Sequence, residues 1–448
     1  MGNPVAKSTE AELSPASTAV QATDSPQHQE TEKAFPDSEV TEQPVYQAPS
    51  EGGTQGWLTV LGAHAALIVS FGWVNSMGVF QAHYETHQLK NFSSSEVAWI
   101  TSVEFFFLFS FSPISGKLFD SYGPRLPLII GSFMHIFGLM MTSISTKYYQ
   151  ILLSQSVCSG IGCSFIFSPS ITAPQTWFNK HRGIVGGLTV AGSSIGGIVF
   201  PLMLNRLIVK IGYGWAMRVS VFMIIILLLL AIFTIKSNRK HTPDRFNPMN
   251  YIRPFKELNF SVMCLAQFFF FLGLYAPFNF VVVQAIHLGM DRNLAFSLVP
   301  IINAASLFGR TIPSIIADRA GRWNVIVITV VSSTIFAFGL WLPATFAALL
   351  ITFSICIGIS TGAVFGLAPS LMASISPIEE LGVRIGGMSA SGGIGALISP
   401  PIGGGLIALN DGNYTYVAIY SGISFLISTI ACIFLRVRLG GWKIKQKI

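Results

Sequence analysis

Twelve apolar runs, each long enough to cross a lipid bilayer, constrain this chain more than any other feature. A membrane-spanning helix needs about 20 predominantly apolar residues, and such runs alternate with short polar breaks from Trp57 onward. Only 10% of the residues are charged, against about 25% in soluble proteins. We therefore predict an all-α integral membrane protein. Its spans 1 to 12 are predicted at roughly 57–80, 96–116, 126–144, 149–172, 183–205, 214–235, 261–286, 294–316, 324–342, 346–370, 385–408 and 414–435.

The longest polar break divides these spans six and six. Eighteen Lys and Arg residues lie in this break, in the loops on its side and in the C-terminal tail, against five in the opposite loops. Positively charged loops stay in the cytosol, so both termini are predicted to be cytosolic. We predict a disordered tail over 1–50, which lacks a periodic apolar pattern. The other predicted parts are an N-terminal bundle over 51–235, a cytosolic linker over 236–258, a C-terminal bundle over 259–438 and a basic tail over 439–448.

Composition and motifs exclude several functions. The net charge of +7 reflects the loops on one membrane side and does not indicate a nucleic-acid partner. The five cysteines all lie in apolar runs without metal-ligand spacing. The glycine-rich runs "GGLTVAGSSIGG" and "IGGMSASGGIGA" follow no strand, so they indicate close helix packing and not a nucleotide loop. No nucleophile–base set or ATP-binding loop is present, and we predict neither an enzyme nor a cofactor.

The two halves of the chain repeat. "GKLFDSYGPR" follows span 2 and "PSIIADRAGR" follows span 8, and their aspartates, Asp120 and Asp318, are 198 residues apart. Arg182 and Arg384 begin spans 5 and 11 and are 202 residues apart. Parallel repeats of six spans predict two bundles with a binding site between them near the bilayer midplane.

The first repeated loop has the pattern G-x-L-x-D-x-x-G-x-R, which resembles the loop signature of the major facilitator superfamily. Two further stretches, "EGGTQGWLTVLGAH" and "WFNKHRGIVGGLTVAGSSIGG", resemble the monocarboxylate transporter-like family. The stretches "NSMGVFQ", "NAASLFGR" and "LYAPFNF" are most similar to its fungal branch. The resemblance covers about residues 51 to 438 and implies a twelve-helix major facilitator fold. It also implies transport of a small molecule by alternating access.

The same resemblance implies a gate at the cytosolic loops. There the loop charges pair with neighbouring helix ends and stabilise an outward-facing state. The matching positions are Asp120, Arg125, Arg182 and Asp318. The alternative is that the basic residues of these loops only set the topology.

Arg310 is the one charge in the apolar run from Leu298 to Ile316. Its insertion costs about 2.5–3.5 kcal/mol near the bilayer centre, and Asn303, Ser306 and Arg310 share one helix face. A guanidinium grips a carboxylate through two parallel hydrogen bonds, and the resemblance implies that a span 8 arginine binds the substrate carboxylate. The alternative is a structural arginine bonded to helix carbonyls.

Two positions depart from the family pattern. The animal monocarboxylate carriers have an Asp where this chain has Ser306, and a span 1 Lys where it has Asn75. Both members of the implied charge relay are therefore neutral, which disfavours proton–lactate symport by that scheme. Glu104 in span 2 is the substitute proton carrier that we consider, because a carboxyl group removed from water favours its protonated form. The alternative is a Glu that reaches toward the outer interface.

Further candidates to line the substrate site are Ser193, Tyr275 and Asn279. The last two flank Pro277, which is expected to weaken the helix of span 7. The sequons at Asn91 and Asn413 lie in predicted outer loops and are candidates for glycosylation.

Three functions are consistent with these features. The first is a secondary transporter of small organic anions such as monocarboxylates, with a proton as the candidate coupling ion, in the plasma membrane. The second is an exporter of a fungal secondary metabolite or a carrier of a vitamin-like substrate such as riboflavin. The third is a nutrient sensor that does not transport, which the short N-terminal tail disfavours.

Overall fold

The structure, a computed structural model, describes residues 51–243 and 249–441. Within those residues the regular structure is all helical, and twelve helices are long and apolar enough to cross a bilayer, as predicted. The predicted tail 1–50 and most of the basic tail 439–448 lie outside the described residues. The twelve spans are Gly53–Thr86, Glu96–Tyr122, Arg125–Thr142, Tyr148–Thr176, Arg182–Ile211, Tyr213–Thr234, Leu258–His287, Leu294–Ala320, Arg322–Trp341, Ala347–Ser374, Ile378–Ala408 and Thr415–Gly440.

Spans 1–6 and spans 7–12 form two six-helix bundles. They face each other through spans 2 and 11 and through spans 5 and 8. Several spans are longer than their apolar runs, because polar turns continue the helix beyond the hydrocarbon region. Span 1 runs to Thr86 instead of residue 80, and span 11 begins at Ile378 instead of 385.

Span 1 is an interrupted helix. Its segments Gly53–Val69, Phe71–Val74 and Met77–Thr86 are separated at Ser70 and at residues 75–76. Interrupted helices inside a membrane are tolerated where protein or a cavity satisfies the freed backbone groups. The interruption at residues 75–76 therefore points to a cavity or an internal partner beside span 1.

Span 7, by contrast, is continuous through Pro277, so the expectation of a weakened helix there is wrong. A proline has no N–H group and leaves the carbonyl four residues earlier without its helical partner. That carbonyl belongs to Gly273, and the Ser421 hydroxyl donates a hydrogen bond to its oxygen at 2.6 Å. The neighbouring span 12 thus satisfies the group that Pro277 leaves open.

The glycine-rich run of span 5 lies against span 1 at backbone distance. A Cβ atom at Gly192 would lie 2.1 Å from the His64 carbonyl oxygen, and one at Gly196 would lie 2.4 Å from that of Ile68. No larger residue fits without moving a helix. This geometry agrees with the prediction that the run serves helix packing.

Candidate functional site

A small cavity lies between the two bundles, where the repeat predicts a site. Its volume is about 20 Å³, roughly the space of one water molecule, so the site is closed around its own side chains. Four predicted site residues line it: Asn75, Tyr275, Asn303 and Arg310. The other lining residues are apolar and mostly aromatic: Phe71, Phe105, Leu274, Phe278 and Phe365.

Arg310 is buried and lines this cavity. Its Nη1 donates to the Val190 carbonyl oxygen at 3.0 Å and to the Ser193 hydroxyl. Its guanidinium carbon lies 5.8 Å from the ring centre of Phe71 and 5.5 Å from that of Phe365. Aromatic faces attract a cation, so two rings partly replace the water that the charge has lost.

Arg310 lacks an anionic partner in the part of the chain that the structure describes. No carboxylate lies within ion-pair distance of it, and its Nε has no hydrogen-bond partner. A buried charge without a counter-charge is costly, and the planar fork of a guanidinium matches a carboxylate. An unpartnered guanidinium N–H group at a cavity can donate a hydrogen bond to a ligand.

Asn75 and Asn303 meet beside Gly197 of span 5. A Cβ atom at Gly197 would lie 3.1 Å from the Asn75 Cβ and from the Asn303 Cγ. Asn75 lies at the interruption of span 1, and its amide nitrogen is 3.5 Å from the Ser193 carbonyl oxygen. The interruption thus turns a polar side chain toward the cavity.

The structure places the other predicted site residues elsewhere. The Ser306 hydroxyl lies 2.8 Å from that of Ser194 and joins spans 5 and 8 outside the cavity lining. Asn279 is exposed and donates to the Tyr275 carbonyl oxygen at 2.6 Å. Ser193 reaches the site through its hydrogen bond from Arg310.

Asp120 joins the N-terminal bundle to the start of span 11. Its carboxylate accepts hydrogen bonds from the backbone N–H groups of Gly382 at 3.0 Å and Val383 at 2.9 Å. The first N–H groups of a helix have no partner within the helix and favour a negative charge. Arg239 pairs with the same carboxylate at 3.2 Å. We call this contact the Asp120 clamp.

Asp318 makes the corresponding contact from the C-terminal bundle to the start of span 5. Its carboxylate accepts hydrogen bonds from the N–H groups of Gly183 and Ile184, each at 2.9 Å, and pairs with Arg322 at 3.0 Å. We call this contact the Asp318 clamp. Both clamps cross the boundary between the bundles at the predicted cytosolic end.

The two clamps give the residue offset between the repeated halves better than Arg182 and Arg384 do. Gly183 and Gly382 occupy equivalent positions and are 199 residues apart, close to the spacing of the aspartates. Matching Arg182 with Arg384 at 202 residues is therefore wrong by three residues. Arg384 instead binds Glu257 at 2.5 Å and Glu380 at 2.9 Å inside the C-terminal bundle. Its hydrogen bond lowers the pKa of the Glu257 carboxyl group.

The two predicted gate arginines differ in their contacts. Arg182 donates to the Phe178 carbonyl oxygen at 2.8 Å and lies 3.4 Å from that of Ala373 at the end of span 10. Arg125 is exposed at the start of span 3. It makes no clamp contact with the residues that the structure describes.

The linker contributes two residues to the Asp120 clamp that the sequence interpretation missed. Arg239 donates to the carbonyl oxygens of Asp120, at 2.7 Å, and of Ile378. The His241 Nδ1 lies 3.1 Å from the same Asp120 carbonyl oxygen. Burial lowers the pKa of the His241 imidazole. The available signal is the basic linker itself, whose charges in the sequence indicate only the topology.

Glu104 is fully buried within the N-terminal bundle and does not reach the outer interface. Its backbone packs against Gly160 of span 4. Neither carboxyl oxygen has a hydrogen-bond partner among the described residues. The group lies outside the central cavity, although its neighbour Phe105 lines it.

The predicted sequons are sterically available. Asn91 and Asn413 are both exposed, and the Asn413 side chain accepts hydrogen bonds from Thr415. A further sequon, Asn259-Phe-Ser, lies on the predicted cytosolic side, and the Asn259 side-chain oxygen accepts a hydrogen bond from Arg438 at 2.9 Å. Glycosylation of the first two stays a prediction.

Comparison with known proteins agrees with this geometry. The sequence profile of the Major Facilitator Superfamily matches residues 63–373 and 315–447. The chain is 56% identical over 398 residues to the MFS-type transporter opdF of Penicillium oxalicum, covering 89% of this chain and 94% of that protein. It is 40% identical over 384 residues to the Fujikurins efflux protein of Gibberella fujikuroi, covering 86% of this chain and 83% of that protein.

Among solved structures, the proton:xylose symporter XylE has a TM-score of 0.72 at 12% identity. The match covers 88% of this chain and 98% of the symporter, and it supports the fold alone. The curated relatives are named as fungal transporters and efflux proteins, so they establish the superfamily and not its monocarboxylate branch. The chain therefore belongs to the Major Facilitator Superfamily and is a multi-pass membrane transporter, not an enzyme.

Proposed function

We propose that the protein is a secondary active exporter of an anionic, partly apolar metabolite of fungal secondary metabolism, acting at the plasma membrane. The observation that carries the proposal is the buried guanidinium of Arg310, which has no carboxylate partner among the described residues. A substrate carboxylate or enolate would supply the missing negative charge through paired hydrogen bonds.

The rest of the cavity suits a substrate with an apolar body. Five of its nine lining residues are apolar, and four of these are Phe. Such a lining with a few placed polar groups is typical of binding sites for small molecules. Asn75, Tyr275 and Asn303 would orient polar atoms of the substrate.

Export is favoured over uptake by the relatives and by the departures from the symport pattern. One relative that covers most of the chain is named an efflux protein. Ser306 bonds Ser194 and cannot carry a proton beside Arg310. Uptake of a monocarboxylate is the second candidate, since the sequence resembles that family and Arg310 would hold the carboxylate there as well.

Glu104 is the proposed proton carrier that couples transport to the membrane gradient. Its carboxyl group is buried and has no hydrogen-bond partner among the described residues. In this scheme proton entry on one side drives the conformational change that moves the substrate to the other. The clamps at Asp120 and Asp318 close the predicted cytosolic end while the site is open to the outside.

The test is export by cells that carry an Arg310→Gln variant. A strain without the gene is complemented with the wild type, with Arg310→Gln or with Arg206→Gln, and cell extracts and medium are compared by mass spectrometry. Arg206 is exposed, so its variant removes the same charge without touching the cavity. Loss of a buried charge partner costs about 2–5 kcal/mol, so we expect Arg310→Gln to lower export roughly 30-fold or more.

The same comparison decides between the candidate functions. Accumulation of an anionic product inside the deletion strain supports export, whereas loss of growth on a carboxylate without accumulation supports uptake. Equal export by Arg310→Gln and Arg206→Gln, at equal protein levels in the membrane, would remove the basis of the proposal.

A further inference from the structure

A second cavity opens at the predicted outer end of the N-terminal bundle, far from the clamps. Its volume is about 730 Å³. It lies between the ends of spans 1, 5 and 6 and the loop after span 3. Among its lining residues are His83, His87, Lys90, Thr146 and Tyr213. We call it the outer pocket.

A line of hydrogen bonds leads from the outer pocket into the bundle. The Tyr213 hydroxyl lies 2.7 Å from that of Tyr84, and the Tyr84 hydroxyl donates to the Gln155 Oε1 at 2.5 Å. Tyr84 and Gln155 are fully buried. On the pocket side the His83 ring stacks on the Tyr213 ring at 4.8 Å. The line therefore begins at the pocket surface and ends inside span 4.

Glu104 lies at the inner end of this line. Tyr84, Tyr213 and Cys163 are close enough to interact electrostatically with its carboxyl group. Gln155 also lies close enough to interact with this carboxyl group.

A further titratable group, the His135 imidazole, lies next to Cys163. The His135 Nδ1 lies 3.3 Å from the Cys163 sulfur and 2.9 Å from the Ser159 hydroxyl. No Lys or Arg pairs with Glu104 among the described residues. Polar neighbours of Glu104 thus lie on spans 1, 4 and 6.

The backbone around this line is irregular on both sides. Tyr84 lies on the segment Met77–Thr86, which is separated from the rest of span 1 at residues 75–76. Gln155 lies in a π-helical stretch, Leu152–Ser159. Such stretches are rare and occur frequently at functional sites. The segment that holds Tyr84 can therefore move without moving all of span 1.

We propose that the outer pocket is the entrance through which protons reach Glu104, and that the hydroxyls of Tyr84 and Tyr213 form the latch that closes this route. This inference rests on the proposed role of Glu104 in coupling. When Tyr84 moves away from Tyr213, water from the pocket reaches the carboxylate. A hydronium ion then gives its proton to a Glu104 oxygen, forming one O–H bond as its own O–H bond breaks. Closing the latch seals the neutral acid inside the bundle.

Dicyclohexylcarbodiimide tests this route without any substrate, because it enters the bilayer and reacts with protonated carboxyl groups. The purified full-length chain is reconstituted in vesicles, and the labelled Glu104 peptide is quantified by mass spectrometry, with Glu104→Gln as the blank. The orientation is fixed by labelling a cysteine introduced at Asn91 with a membrane-impermeant maleimide. We expect labelling of Glu104 to fall when the pH on the pocket side is raised. A change of pH on the clamp side should leave the labelling unchanged.

Tyr84→Phe and Tyr213→Phe test the latch, since each removes one hydroxyl and keeps the ring. We expect Glu104 labelling in both variants to respond to a pocket-side pH change about fivefold faster than in the wild type, the factor expected for one lost hydrogen bond. Tyr149→Phe is the matched control, because Tyr149 is exposed at the same end of the bundle.

Three results would overturn the inference. The first is labelling of Glu104 that changes with the clamp-side pH, and the second is no labelling of Glu104 at any pH. The third is Glu104 labelling in Tyr84→Phe and Tyr213→Phe that follows a pocket-side pH change at the wild-type rate. The wild-type measurement does not depend on the folding of a variant. It also does not depend on export, so failure of the proposed export and failure of this route are distinguishable.

Discussion

At the scale of single residues, some residues of the site can be recognised in the sequence and others cannot. Arg310 is predictable because one charge in an apolar run demands an explanation. Phe71 and Phe365, which face its guanidinium, are not predictable, since they are two of 36 phenylalanines. Glu104 was predicted as a candidate, but its environment depends on Tyr84 and Tyr213, whose sequence neighbours give no sign of a shared role.

A first prediction at this scale separates a binding arginine from a structural one. Arg310→Met removes a buried charge that has no carboxylate partner among the described residues. Replacing buried charges by apolar side chains of similar size is often neutral or stabilising by about 1–4 kcal/mol. We therefore expect a higher melting temperature in detergent together with loss of export, measured by thermal unfolding and by the metabolite assay.

The control is Arg206→Met, which should leave both quantities close to their wild-type values. A lower melting temperature for Arg310→Met would mean that the hydrogen bonds to Val190 and Ser193 stabilise the fold. In that case the structural interpretation of Arg310 is the better one.

At the scale of elements, length and hydropathy predict the number of spans but not their irregularities. The twelve spans follow from apolar runs of about 20 residues. The interruption at Asn75 and Ser76 carries no proline or glycine at those two positions, so no breaker marks it. Pro277, which does look like a breaker, is accommodated because Ser421 bonds the Gly273 carbonyl oxygen. Tertiary contacts decide both cases.

The prediction at this scale concerns the helix start at the Asp120 clamp. A Cβ atom at Gly382 would lie 2.4 Å from the Gly116 carbonyl oxygen and 2.8 Å from the Asp120 Oδ1. Overpacking of this kind costs about 1–3 kcal/mol, and opening the clamp relieves it. Gly382→Ala should therefore shift the transporter toward a state that is open at the clamp end.

The measurement is the distance between spin labels at Leu126 and Arg319, which are exposed at the clamp ends of the two bundles. Gly382→Ala should populate longer distances than the wild type does. Gly404→Ala is the matched control, because nothing lies within 4 Å of a Cβ atom there. Equal distance distributions for all three proteins would show that the clamp tolerates the methyl group.

At the scale of the whole molecule, the repeat predicts two bundles but not how they are joined. The loop aspartates were predicted as gate residues, and each does reach the helix start of the opposite bundle. Arg239 and His241 were missed because their contact with Asp120 exists only once the bundles have docked and the linker has folded back. A linker charge has no fixed neighbour in sequence, so its partner follows from the assembled molecule.

This docking predicts how pH acts on the conformational equilibrium. Burial lowers the pKa of His241 while the clamp is closed, whereas in an open clamp the imidazole returns toward its ordinary pKa of about 6.5. The open state therefore binds more protons below about pH 6.5, so the free energy that favours the closed clamp falls as the pH decreases through this window. Above this window the contribution of His241 to the closed clamp is complete.

The Leu126–Arg319 distance should lengthen as the pH falls from about 8 to about 5.5. His241→Gln removes the titrating group and leaves Asp120 and Arg239 in place, so its distance should change much less. If His241→Gln keeps the full pH response, His241 is not the group that senses pH at the clamp.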